Sequence, residues 1–228
     1  MIVEIGGLIF WPRMLEHINW FVGALGDLLI IAVLFARRRV PRFPLFTILV
    51  AFHFLVAVGT KAAFHLSGHK VSGSTATIID ITDLLVRCGV FAELIRIALL
   101  PLARIWQLAL SLMLIASGVL IVMRLAPAYH SLSMGLMLMH FFLSVLLLEW
   151  AMVLAFLLRP LRLSWQSPVA AISFGYGVFS AVDLAAGAYF RTGPAGDFVS
   201  SFLFRIPVYL LIVLWWSVSL WSAEPGVS

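Results

Sequence analysis

Between Thr75 and Leu99 the chain is long and apolar enough to cross a membrane, yet this stretch carries Asp80, Asp83, Arg87, Glu93 and Arg96. An ionised side chain facing lipid at the bilayer centre costs about 2.5–3.5 kcal/mol on insertion scales. Such a helix has to stand inside a bundle, its ionic stripe turned toward other helices. The rest of the chain can supply them. Of the 228 residues, 63% are hydrophobic and 11% charged, and the mean hydropathy is +1.11. Soluble domains carry about 25% charged residues. At about 20 apolar residues per crossing, the length permits roughly seven spans. The expected fold is all-α: a polytopic bundle of seven transmembrane helices.

The hydropathy pattern and its breakers place these helices. Residues 1–14, with Phe10, Trp11 and Pro12, are too short to span and suit an interfacial segment, because aromatic rings favour the headgroup level. The membrane domain then occupies 15–221, with helices over about 15–36, 43–66, 75–99, 102–125, 131–158, 168–189 and 200–220, and 222–228 is a short tail. The cluster Arg37-Arg38-Arg39-Val40-Pro41-Arg42 stops the first helix, and Pro101 closes the third. The fourth helix has no ionisable residue in its interior, only Gln107, Ser111 and Ser117 as polar groups, and is expected to be peripheral. In the sixth, Ala171/Gly175, Ser173/Gly177, Gly177/Ala181 and Ala181/Ala185 set small residues four apart, so that backbones can approach closely on that face. Pro207, just after Arg205, can kink the seventh helix. Trp215, Trp216 and Trp221 form an aromatic belt near its end.

Basic loop residues give an orientation. Arg37, Arg38, Arg39, Arg42, Arg104, Arg159 and Arg162 fall on one side; Arg13, Lys70, Arg124 and Arg191 fall on the other. Seven against four favours the N-terminus outside and the C-terminus inside, with the tail cytoplasmic. The net charge of +5 therefore reflects insertion topology rather than nucleic-acid binding. The lone cysteine, Cys88, gives no disulfide framework or cysteine-based metal site. Met1-Ile2-Val3-Glu4 lacks the basic start of a cleavable signal, so the first span is expected to serve in targeting.

Several local patterns resemble a known group. Phe43-Pro44-Leu45-Phe46-Thr47 opens the second helix after the basic loop, and Leu163-Ser164-Trp165 leads into the sixth. That helix continues with Phe174-Gly175-Tyr176-Gly177 and Ser180-Ala181-Val182-Asp183-Leu184. Over nearly its whole length the chain resembles a family of uncharacterised bacterial seven-transmembrane-helix integral membrane proteins, in which Glu is common at the position of Asp183. The resemblance implies a multi-pass protein of the bacterial inner membrane. That family has no established activity, so no catalytic residue is transferred.

The ionisable residues are the candidate site. Asp80, Asp83 and Arg87 share a helical face. By rise per residue, Asp80, Asp83, Lys61, Asp183 and Arg205 fall in the outer third of the bundle; Asp27, His53 and Arg87 near the middle; Glu93 and Glu149 in the inner half. They can pair off to fix helix rotation: Asp83 with Arg87, Asp183 with Arg205, Lys61 with an aspartate of the third helix. Equally, they can line an outward-facing polar cavity that binds a ligand or relays protons. Glu93 either pairs with Arg96 or, with Glu149, exchanges protons, and Glu149 otherwise faces a wet cavity. His53 and His140 are satisfied by hydrogen bonds or, if they face each other, ligate haem. His65 and His69 offer two metal ligands without an evident third, so no metal or cofactor is expected. A retinal protein needs a lysine on its last helix, and here there is Arg205 instead. No set of nucleophile, base and metal ligands is assembled, so an enzyme is disfavoured. Three functions remain: a small receptor-like sensor signalling to a membrane or cytoplasmic partner, a proton-coupled small-molecule transporter, or a non-catalytic subunit whose charges are structural.

Overall fold

Prolines, serines and arginines divide the chain into helices close to where the hydropathy pattern predicts them. The structure, a computed structural model, describes residues 10–67, 72–100, 102, 104–125, 132–161, 163–192 and 198–222, of which 10–19, 67, 105, 121–122, 124–125, 132–134, 186–192 and 198–205 are described by backbone alone. Among the described residues there are seven helices: α1 (Phe10–Ala36), α2 (Pro44–Ser67), α3 (Gly73–Leu99), α4 (Arg104–Leu125), α5 (Leu132–Leu157), α6 (Pro168–Thr192) and α7 (Phe198–Trp221). The ends of α2 to α7 fall within about three residues of the expected positions. α1 differs: it begins at Phe10 rather than Leu15, so the expected interfacial residues Phe10–Arg13 form its first turn. The rest of that segment, 1–9, and the tail from 223 lie outside the described residues.

Among the described residues, three stretches are long and apolar enough to cross a membrane: Pro44–Leu66, Gly135–Leu157 and Pro168–Ala185. Shorter apolar runs occupy Trp20–Ala36, Trp106–Leu120 and Ile206–Trp221. The ionisable residues of α3 keep it out of both groups, which is why its surroundings matter.

Those surroundings are a ring. α1 packs on α2, α2 on α3, α3 on α6, α6 on α7, and α7 back on α1; α5 buttresses α3 and α6 from outside, and α4 lies against α5 and α3. α4 is peripheral, as its sequence predicts: Trp106, Leu112, Leu120 and Met123 are exposed, while Leu114 is buried.

The small residues of α6 account for its central place, on two faces rather than one. A side chain at Gly175 would collide with the indole of Trp216 on α7, and one at Gly177 with the Cβ of Ala151 on α5. Trp216 Nε1 donates to the Ala171 carbonyl at 2.9 Å, and Trp150 Nε1 of α5 donates to Ser173 Oγ at 3.0 Å. The row Ala171/Gly175 therefore faces α7 and the row Ser173/Gly177 faces α5.

The α1–α2 turn shows why its residues are there. Arg38 has φ 52°, with Arg39 N–H bonded to the Leu34 carbonyl at 2.8 Å and Arg38 N–H to the Phe35 carbonyl at 3.1 Å. This is the Schellman arrangement that satisfies the last carbonyls of a helix. Pro44 then supplies the preset φ of a first helical residue for α2. The arginines also reach across the bundle: Arg37 donates from Nε (2.6 Å) and Nη2 to the Trp221 carbonyl, with its guanidinium 4.8 Å from the Trp221 ring centroid. Arg39 Nη2 donates to the Ser222 carbonyl at 3.0 Å. Cations at the C-terminus of α7 complement its dipole, so the basic loop locks the ends of the ring together as well as marking a side.

Candidate functional site

The ring of α1, α2, α3, α6 and α7 encloses a cavity of about 540 Å3, within the range of small-molecule sites. Every helix of the ring contributes one polar group to its lining: Asp27, His53, Arg87, Tyr176 and Tyr209. Apolar and aromatic side chains, among them Trp20, Val50, Phe179 and Trp216, form the remaining wall.

Asp27 is buried, 8% exposed. Tyr209 Oη reaches it from α7, 2.9 Å from Oδ1 and 3.2 Å from the Gly23 carbonyl. Gly26 makes this approach possible, since a Cβ there would sit 2.9 Å from that hydroxyl oxygen. On the α2–α3 side stands a second cluster. His53 Nε2 lies 2.7 Å from Asp83 Oδ1, and Arg87 Nε lies 2.8 Å from Asp83 Oδ2. The Arg87 Nε–H is not aimed along a hydrogen bond, so this contact is ionic rather than a directed fork. Both oxygens of Asp83 are thereby occupied, while the guanidinium lines the cavity.

Below these groups lies an aromatic floor. Phe46 meets Trp216 edge-on at 5.3 Å and Tyr176 at 6.2 Å, and the Tyr176 and Trp216 centroids are 5.1 Å apart. Phe46 is itself anchored from α3: Glu93 Oε1 accepts the N–H of Leu45 at 3.1 Å and Oε2 that of Phe46 at 3.0 Å. A carboxylate on the first free N–H groups of a helix satisfies orphan donors and complements the dipole. At the opposite rim Trp20 Nε1 donates to the Ala57 carbonyl at 2.7 Å, and Lys61 Nζ lies 5.7 Å from the Trp20 ring centroid.

No protein-family model, curated protein or solved structure matches this chain.

The candidates divided by the structure fall into three groups. Asp27 and Arg87 line the cavity, and Asp83 supports it through the expected pair with Arg87. Lys61 stands at the rim. The others lie elsewhere. Asp80 is exposed, close to the end of the α2–α3 pair where residues 62–66 and 72–76 are exposed as well. Glu149 accepts a bond from Ser117 Oγ at 2.7 Å, tying α5 to α4 behind the ring rather than facing the cavity. His140, also on α5, is not part of the lining, and α2 and α5 are not in contact among the described residues, so His53 and His140 do not form a facing pair. Asp183 is half-buried on α6. The side chain of Arg205, and with it the expected Asp183–Arg205 pair, lies outside the described residues, as does His69. Glu93 departs from the expected pairing with Arg96, which is exposed, because the start of α2 claims both its oxygens.

Sequence spacing does not mark Tyr176, Tyr209, Trp20 and Trp216 as site residues, because an aromatic in an apolar helix reads as core or interface. No group of three or more His, Cys, Asp and Glu residues is placed to hold a metal among the described residues. Among the described residues, none of the lining side chains is a serine, threonine, cysteine or lysine. The arrangement suits recognition: an apolar aromatic body with a carboxylate, an imidazole and a guanidinium at separate points of its wall.

Proposed function

We propose that this chain is a membrane-embedded, receptor-like sensor that binds a small molecule inside the ring of α1, α2, α3, α6 and α7. The observation that carries this reading is the cavity of about 540 Å3 into which each of the five helices sends a polar side chain. Concave, largely apolar sites with a few convergent polar groups are where small ligands bind. All seven helices cross the bilayer in this reading, as the resemblance to the bacterial seven-helix family implies, in the inner membrane. Asp27 and His53 each stand about 13 Å along their helices from the arginine-rich end. With the basic loop cytoplasmic, both lie near mid-membrane, and the lining runs outward from them to Trp20 and Ala57.

A route for the signal accompanies the site. A ligand that moves Trp216 acts on α7, whose end is held by Arg37 and Arg39. One that moves Tyr176 or Trp216 also presses on Phe46, held by Glu93 at the start of α2. Both paths end at the face carrying the basic loop, where a membrane or cytoplasmic partner would read them. A proton-coupled carrier is the second reading, favoured by the titratable Asp27 and His53 on one cavity.

Gly23 separates the outcomes. It lines the cavity and a Cβ there meets nothing within 4 Å, so the side chain of Gly23→Leu has room to start into the cavity. Wild-type protein in nanodiscs is screened against pooled metabolites by tryptophan fluorescence and thermal shift. A sensor gives hits that Gly23→Leu abolishes, altered hydrogen exchange near Arg37–Arg39 and Trp221, and no accumulation in proteoliposomes. Uptake driven by a pH gradient and lost in Asp27→Asn establishes the carrier instead. Binding unchanged in Gly23→Leu removes the cavity as the site.

A further inference from the structure

We infer that the ligand of this cavity is a small organic ammonium ion with an apolar or aromatic body, seated with its cationic head on Asp27. This deepens the binding reading above and rests on it. Three observations lead to it. The first is the charge left over. Asp83 is shared by His53 and Arg87 at 2.7 and 2.8 Å, so that acid and that guanidinium balance each other. Asp27 has no such direct partner: its one hydrogen-bond donor among the described side chains is the neutral Tyr209 hydroxyl, 2.9 Å away, and His53, which lines the same cavity, is bonded to Asp83 instead. An acid more than nine-tenths buried without a counter-ion is held neutral or finds a cation, and a ligand ammonium would be that cation.

The second observation is the aromatic wall. Tyr176, Phe179, Tyr209 and Trp216 line the same space as Asp27, with Trp20 toward the rim. Aromatic faces attract ammonium groups through the ring quadrupole, and sets of such faces recognise them. The third is that the wall already shows this preference at its edge, where the Lys61 ammonium lies 5.7 Å from the Trp20 ring centroid. A ligand ammonium on Asp27 repeats that contact deeper in the cavity and adds the missing charge.

The bound state follows from these contacts. The ammonium donates to Asp27, whose orientation Tyr209 fixes. The apolar body lies among the aromatic side chains and Val50. The Asp83–Arg87 pair on the α3 side offers the head no unpaired acid, which leaves Asp27 on α1 as its partner. An anionic ligand finds Arg87 already paired with Asp83 and faces Asp27 across the same cavity.

The test uses the full chain in nanodiscs and three probes of one shape: 2-phenylethylammonium, 2-phenylethanol and 3-phenylpropionate. Quenching of tryptophan fluorescence and the shift in Tm are read for each. The ammonium is expected to saturate and to raise Tm, with the alcohol and the anion far weaker. Asp27→Asn weakens ammonium binding roughly 10- to 100-fold, the loss of a charge-assisted bond. Tyr209→Phe, which keeps the ring, weakens it less; this variant carries the test if Asp27→Asn does not fold. Equal responses to all three probes, preference for the anion, or undiminished ammonium binding in both variants overturns the ammonium class while leaving the cavity a binding site. No saturable response to any of the three also overturns it; the metabolite screen with Gly23→Leu then decides separately whether the cavity binds anything.

Discussion

Glu93 is the residue whose local setting says most about how this chain folds. The residue before Pro44 is Phe43, which is buried and cannot accept a bond through its side chain, so α2 starts without the serine, threonine, aspartate or asparagine that usually caps a helix. Its first free N–H groups are at Leu45 and Phe46, and both point at the Glu93 carboxylate. Hydrogen bonds to a charged group are worth about 1.5–3 kcal/mol each, and unsatisfied buried donors carry a comparable penalty. Glu93→Ala is therefore expected to destabilise the fold by about 2–4 kcal/mol. Glu93→Gln, which keeps one acceptor, should lose about half as much. Equilibrium unfolding in detergent, read from tryptophan fluorescence, measures both, and a Glu93→Ala protein as stable as wild type would remove the capping role. The sequence did contain a signal for this contact. A proline at the first helical position behind an uncapped phenylalanine announces a helix start whose donors need an acceptor from elsewhere. Spacing along the helix points instead to Arg96, three residues on, because local periodicity carries no information about which helix lies alongside.

At the scale of the element, α6 separates what periodicity states from what it leaves open. Small residues four apart announce close approach, and close approach is found. That two neighbours are involved, α7 at Gly175 and α5 at Gly177, follows from the two residues being about 200° apart around the helix. Gly177→Ala drives a methyl group into Ala151, and overpacking of this kind costs about 1–3 kcal/mol. The double variant with Ala151→Gly should recover most of that loss, since the two sites are in direct contact and couple. Gly59→Ala provides the contrast. Its Cβ meets open space, so relief of glycine's backbone entropy should leave the protein unchanged or more stable by up to about 1 kcal/mol. Thermal unfolding of the three proteins under one detergent condition checks the set; equal losses at positions 177 and 59 would show that contact with α5 is not what selects glycine. The helices themselves were legible because hydropathy and breakers act along the chain. The cavity was legible only in part, through Asp27 and the Asp83–Arg87 pair. Tyr176, Tyr209 and Trp216 belong to it through the ring's closure, and α1 meets α7 across nearly the whole length of the sequence.

For the whole molecule, closure and orientation are the same question seen from two sides. Arg37 and Arg39 bind the last carbonyls of α7, so the end of α1 and the end of α7 lie at one face of the bundle. Two helices that finish together must run in the same direction, and an odd number of helices in up-and-down order satisfies this with no long crossover. The few residues that separate successive helices agree. If that face is cytoplasmic, as seven basic loop residues against four favour, a fluorescent protein fused after Ser222 should fluoresce in the cytoplasm. Alkaline phosphatase fused in the turn after α2 should be active outside, and phosphatase fused in the turn after α1 inactive. A phosphatase active at both the α1 turn and the C-terminal end would reverse the orientation yet keep the ring, because both ends still share a face. Activity at one of these two positions and not the other would break it, since the arginines of the loop and the end of α7 would then stand on opposite sides of the membrane.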